Sequence, residues 1–267
     1  MRFLHARQGE MVICKSPKEL EKMYQAGQIV WGALEKMRTI VRPGVSTKEL
    51  DEFAEEFTEK HKARPAFKGY RGYPGSLCTS INQEVVHGIP SASRKVREGD
   101  ILSMDFGVEL DGYFADAALT VPVGKVAPER QKLLRVTRES LEQGIDKIRP
   151  GNRLGDVSAA VQQWVEKNGF SVVREFVGHG IGTKMHEDPQ LPNYGSPGQG
   201  PRLQEGMVLA IEPMVNTGGP GVRILDDDWT AVTTDGSDSA HFEHTVAVTA
   251  QGPWILTRPR EASGPCW

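Results

Sequence analysis

The chain has 267 residues, 38% hydrophobic and 25% charged, which describes a globular protein able to bury a core without disulfide staples. A formal net charge of -3 offers no bulk attraction for nucleic acid, and no run approaches the roughly 18 apolar residues of a membrane-spanning helix. Three scattered cysteines, Cys14, Cys78 and Cys266, form no CxxC pair and argue for a reducing, cytoplasmic setting.

Residues 1–11 carry no signal-peptide pattern and are expected to be a loose extension, with organised sequence beginning after Met11. Ser16-Pro17-Lys18-Glu19 is a capping box with proline at the first helical position. Leu20, Met23, Gly27, Val30, Leu34, Met37 and Val41 then recur at helical spacing, until Arg42-Pro43-Gly44 stops the helix. Ser46-Thr47-Lys48-Glu49 opens a second helix with Leu50, Phe53, Ala54 and Phe57 inward. From Asp100 to about Val123 the pattern turns to strands broken at Asp111-Gly112, a strong hairpin signal. A third helix opens at Pro128 with Leu134, Leu141, Ile145 and Ile148 inward, and a fourth carries Leu154, Val157, Val161 and Trp164. One folded domain is expected over 12–257, with halves at about 17–123 and 128–250, followed by a flexible Pro-, Gly- and Ser-containing tail over 258–267.

The halves resemble each other. Val41-Arg42-Pro43-Gly44 recurs as Ile148-Arg149-Pro150-Gly151, and Glu98-Gly99-Asp100-Ile101-Leu102-Ser103-Met104-Asp105 as Glu205-Gly206-Met207-Val208-Leu209-Ala210-Ile211-Glu212, both at an offset of 107 residues. Val86-His87-Gly88-Ile89 resembles Gly178-His179-Gly180-Ile181 at an offset of 92. Each half reads helix, helix, strands. Two such halves fuse into one sheet about a pseudo-twofold, with Asp105 and Glu212 at equivalent positions.

A two-residue turn at Asp111-Gly112 sets Asp105 opposite Ala118 and Asp116 opposite Gly107. The two aspartates are then diagonal neighbours on one face, roughly 5–8 Å apart. Such carboxylates repel and are costly to desolvate, and a divalent cation between them removes that cost. Glycines flank His179 and permit close approach. Glu212 ends an apolar strand, and Glu243 lies inside another. Taken singly, each residue has an ordinary structural explanation. Together, four carboxylates and one imidazole suit two ions such as Mn²⁺, Fe²⁺ or Co²⁺ better than a structural zinc.

With these residues, and with Gly69-Tyr70-Arg71-Gly72-Tyr73-Pro74, Ser80-Ile81-Asn82, Ile89-Pro90, Ile211-Glu212-Pro213-Met214 and Glu243-His244-Thr245, the chain resembles the type I methionine aminopeptidases of the pita-bread (creatinase/aminopeptidase) superfamily from about Val12 to Leu256. The resemblance implies an α+β pita-bread fold and two divalent ions (Co²⁺, Mn²⁺, Fe²⁺ or Zn²⁺) held by Asp105, Asp116, His179, Glu212 and Glu243. It implies attack of a metal-bridging water on the carbonyl of an N-terminal methionine that precedes a small residue. Glu212 would shuttle the proton, His186 steady the carbonyl oxygen and His87 meet the scissile amide nitrogen. Tyr70, Tyr73, Cys78, Phe176, Met185, Met214 and Trp229, with His87 and His186, would bind the substrate. Nascent polypeptides, transient ribosome association and a cytoplasmic monomer complete the expectation, with no membrane and no specific nucleic acid.

Three positions depart from the family pattern. Ala117 follows Asp116 where threonine is usual, so altered metal affinity is expected from a lost hydroxyl. Met185 stands where an aromatic is common, and His241 where a glutamine is common. Two rivals remain at this point. An Xaa-Pro peptidase would share the metal residues but usually carries a large extra N-terminal domain. A non-enzymatic pita-bread module would lack one or more of the five.

Overall fold

The structure, a computed structural model, describes residues 12–262 and 264–267. The extension expected over 1–11 lies outside the described residues. The first half comprises α1 (Pro17–Ile40), α2 (Thr47–Lys60), β1 (Arg64–Pro65), β2 (Leu77–Ile81), β3 (Glu84–Val86), β4 (Ile101–Leu110) and β5 (Tyr113–Pro122). The second comprises α3 (Pro128–Ile145), α4 (Leu154–Lys167), β6 (Ser171–Val172), β7 (Gly178–Gly180), β8 (Glu187–Leu191), β9 (Val208–Ile211), β10 (Met214–Asn216), β11 (Val222–Ile224), β12 (Ala231–Thr233), β13 (Ser239–His241), β14 (Glu243–Thr249) and β15 (Gly252–Ile255).

Local chemistry starts the helices where the sequence predicts. The Ser16 N–H donates to Glu19 Oε2 at 2.8 Å while the Ser16 hydroxyl accepts the Glu19 N–H at 3.4 Å. Ser46 and Glu49 repeat the exchange at 2.8 and 3.2 Å on α2. Each cap stabilises its helix by about 1 kcal/mol, because backbone donors at a helix start otherwise lack partners.

The repeat is real in three dimensions. α2 and α4 start and end 107 residues apart, and so do the isolated bridges Ser46–Lys95 and Arg153–Arg202. Gly44 and Gly151, equivalent in the repeat, share φ +93°, which favours glycine. The main sheet is antiparallel in the order β1-β4-β5-β14-β9-β7-β8, with β2 also on β4 and β15 also on β14. β5 and β14 therefore meet at the pseudo-twofold, flanked by β4 on one side and β9 on the other. Two three-stranded sheets, β13-β10-β6 and β11-β12-β3, accompany it.

The main core lies between this sheet and the helices. It contains Leu34, Met37 and Leu50 from α1 and α2, and Phe106, Ala117, Leu209 and Ile211 from the strands. The inward stripe of α3 runs through Leu133 and Val136 rather than Leu134, which is only partly buried. Phe53, Phe57 and Trp164 are likewise half-buried.

The tail over 258–267 is not loose where it is described. Cys266 is buried, and its N–H donates to Glu142 Oε1 at 3.0 Å. Trp267 stacks on Trp31 of α1 with centroids 4.6 Å apart, and on His244 at 4.7 Å. Stacking and apolar burial outweigh the freedom that Pro and Gly lend this segment.

Candidate metal centre

The hairpin register is the expected one. Leu110 pairs with Tyr113, Asp105 lies opposite Ala118, and Asp116 opposite Gly107. Asp111 and Gly112 have φ of 49° and 80°, as a tight primed turn requires. Ala118 faces Glu243 on its other side, and Asp105 faces Cys78, so Cys78, Asp105, Ala118 and Glu243 form one row across four strands.

Two residues along lies a second row. Thr245 pairs with Ala210, which pairs with His179, while the Thr245 hydroxyl accepts the Asp116 N–H at 3.0 Å. Side chains alternate across a strand, so both rows face the same side. The intervening row, Leu77, Phe106, Ala117, His244 and Ile211, faces the helices. Ala118 and Ala210 add little bulk between the larger side chains and leave space above the sheet.

Ligand atoms of Asp116, His179 and Glu243 lie within 4.8 Å of one another. Glu212, one residue past β9, brings Oε1 to 3.6 Å from His179 Nε2, and Asp116 Oδ2 lies 3.5 Å from that nitrogen. Asp105 Oδ1 is enclosed without a hydrogen-bond partner. His179 Nδ1 is 2.9 Å from the Gly180 carbonyl, which can only accept, so Nδ1 holds a proton and Nε2 is the nitrogen turned toward the acids.

Burial, and then repulsion from neighbouring acids, pushes Asp105, Glu212 and Glu243 well above the usual carboxylate range. Burial would lower His179, but Asp116 and Glu212 outweigh it and raise that imidazole to about 9. The orphaned oxygen, the clustered acids and the imidazole Nε2 turned toward them, whose proton a metal would displace, together fit a divalent cation.

Ala117 belongs to the helix-facing row, buried in the core, so its methyl does not line the centre. The Thr245 hydroxyl meets Asp116 instead, within 2.8 Å of both Oδ1 and the backbone oxygen. The sequence motif held Thr245, but nothing in a linear reading pairs it with a residue 129 positions away.

The expected substrate residues fall into two groups beside the centre. The Tyr73 ring meets Trp229 edge-on at 5.1 Å, and His87 meets Phe176 edge-on at 5.3 Å. Met214 packs with Phe176, and Cys78 adjoins Asp105 in the ladder. His87 takes φ 63°, a strained conformation for a residue with a Cβ, and burial lowers its imidazole to about 4. In the second group, Met185 packs with Tyr70. His186 stacks on Tyr70, with Nδ1 2.9 Å from the Tyr70 hydroxyl, and its ring centroid is 4.1 Å from that of His179. Although its edge meets solvent, desolvation by the cleft wall and then the His179 charge hold His186 below its usual value.

Residues 21–250 match metallopeptidase family M24. The chain is 55% identical to methionine aminopeptidase 1 of Bacillus subtilis, over 93% of this chain and all of that protein. The crystal structure of a methionine aminopeptidase from Thermotoga maritima superposes with a TM-score of 0.92 at 49% identity, covering 93% of this chain and all of that one. An Xaa-Pro dipeptidase from Bacillus anthracis shares the fold alone, at 22% identity and a TM-score of 0.74, with 94% of this chain covering 63% of that longer one. The fold is the α+β pita-bread fold, and the chain belongs to metallopeptidase family M24 and, within it, to the methionine aminopeptidases.

Proposed function

We propose that the chain removes N-terminal methionine from nascent polypeptides whose second residue is small, using two divalent ions held by Asp105, Asp116, His179, Glu212 and Glu243. The observation that carries this reading is the gathering of three buried ligand groups, with two further acids beside them, on one face of the sheet. Ions bound there would supply Lewis acidity, which acidifies water and offsets negative charge on the substrate carbonyl oxygen.

The protein's own groups do the rest. Glu212 accepts a proton from the attacking water and passes it to the leaving amine. The Tyr70 hydroxyl donates to His186 Nδ1, which leaves the ring proton on Nε2 for the developing oxyanion. His87, kept neutral by burial, meets the scissile amide nitrogen. Tyr73, Cys78, Phe176, Met185, Met214 and Trp229 surround the methionine thioether with aromatic and sulfur groups and exclude water. The ions are Co²⁺, Mn²⁺, Fe²⁺ or Zn²⁺, and the enzyme acts as a cytoplasmic monomer that visits the ribosome. Among the described residues no helix is long and apolar enough to cross a membrane.

Purified protein should release methionine from Met-Ala-Ser, lose that activity to a chelator, and regain it with one of these ions. His179→Ala should lower kcat/KM by more than about a hundredfold. Full activity in that variant would overturn the metal assignment, and a preference for Xaa-Pro peptides would favour an Xaa-Pro peptidase.

A further inference from the structure

One imidazole on the wall of the centre has no task in this scheme. His241 ends β13 and is 1% exposed. Its backbone is fixed from β5: the His241 N–H donates to Thr120 Oγ1 at 2.8 Å, and the Thr120 hydroxyl donates to the His241 carbonyl at 2.8 Å. On the other side it pairs with Met214. Neither ring nitrogen has a hydrogen-bond partner. Native proteins seldom bury an imidazole with both nitrogens unmatched, so this ring calls for an explanation.

The acid facing this ring is Glu212. His241 Nε2 lies 4.0 Å from Glu212 Oε2, while Glu212 Oε1 lies 3.6 Å from His179 Nε2. The carboxylate thus stands between two imidazoles, one oxygen toward each. Oε1 is on the side of the metal ligands, and Oε2 is left to exchange the proton. The 4.0 Å gap exceeds a direct hydrogen bond, but the terminal torsion of a glutamate is soft, and a modest turn closes the distance.

We propose that His241 is a positioning residue for Glu212. During turnover its Nε2–H donates to Glu212 Oε2 and holds that oxygen toward the attacking water and the leaving amine, while Nδ1 keeps the ring's lone pair. This rests on the functional reading above. It assigns a role to a position where this chain carries histidine in place of the family's common glutamine, whose amide N–H could make a comparable contact.

The test compares His241→Gln, which keeps a donor, with His241→Ala and His241→Leu, which do not. For each, kcat and KM are measured on Met-Ala-Ser, with Mn²⁺ stoichiometry and affinity by calorimetry and Tm as a check on folding. A lost orienting hydrogen bond should lower kcat about tenfold or more in the Ala and Leu variants, with KM changed less than about twofold and Mn²⁺ binding intact. His241→Gln should stay within about threefold of the parent. An unchanged kcat in the folded Ala variant would overturn the proposal, as would a Gln variant as slow as Ala, or Mn²⁺ loss without Gln. Parent protein that neither binds Mn²⁺ nor releases methionine would instead fail the functional reading, and the proposal with it.

Discussion

Asp116 shows how much a proposed metal ligand depends on its neighbours. Its carboxylate, backbone oxygen and N–H all lie within 3.0 Å of the Thr245 hydroxyl, which holds one rotamer in place without adding charge. Orienting groups of this kind commonly change metal affinity by 10–100-fold. Thr245→Val should therefore weaken Mn²⁺ binding by about tenfold or more in calorimetry, while Thr245→Ser retains most of it. Equal affinity in all three proteins would deny the hydroxyl this role. The acids themselves were legible in the sequence, because period-two alternation and one turn dipeptide place Asp105 and Asp116 on the same face. Thr245 was not, since its partner sits across a strand junction that only the closed sheet creates. The same applies to Ala117, whose neighbour in sequence is a site residue while its neighbours in space are Phe106 and His244.

At the scale of elements, the helix starts, the hairpin and the duplication could all be read from local chemistry. Errors arose where long-range packing decides. Leu133 took the place of Leu134 because the rotation of α3 is set by what the sheet and α4 present to it, not by its own pattern. The seating of α1 is another such case. Gly27 faces the backbone of residues 256 and 257, just past β15, and a Cβ there would run into the Leu256 carbonyl. Gln28 Nε2 holds the same stretch, donating to the Leu256 and Arg258 carbonyls at 3.0 and 3.1 Å. Because the obstacle is backbone, Gly27→Ala should cost about 1–3 kcal/mol, which lowers Tm by several degrees in a thermal melt. An unchanged Tm would mean that α1 can shift outward at no cost.

At the scale of the whole molecule, two halves are joined by β5 and β14, and the join gathers acids whose arrangement fits a divalent cation. The consequence for stability has a definite sign. Asp105, Glu212, Glu243 and His179 all have folded pKa values above their ordinary ones, so the metal-free folded chain holds protons that the unfolded chain releases. Their contribution is present at low pH and fades as pH rises from the carboxylate range near about 4 through about 9, where His179 titrates. Chelated protein should thus lose Tm between about pH 6 and pH 9, while Mn²⁺-loaded protein loses less, because binding displaces these protons and strengthens as pH rises. A parallel decline in both forms would place the pH sensitivity elsewhere. The docked tail, finally, lies against the helix-facing side of the strand that presents Glu243 and Thr245. There the indoles of Trp31 and Trp267 stand 4.6 Å apart and only 15° from parallel, with the His244 ring against them. Two indoles so arranged couple their strong far-ultraviolet transitions and should give a paired circular dichroism band that neither gives alone. The molecule thus carries an optical reporter of tail docking, one strand's thickness from its chemistry.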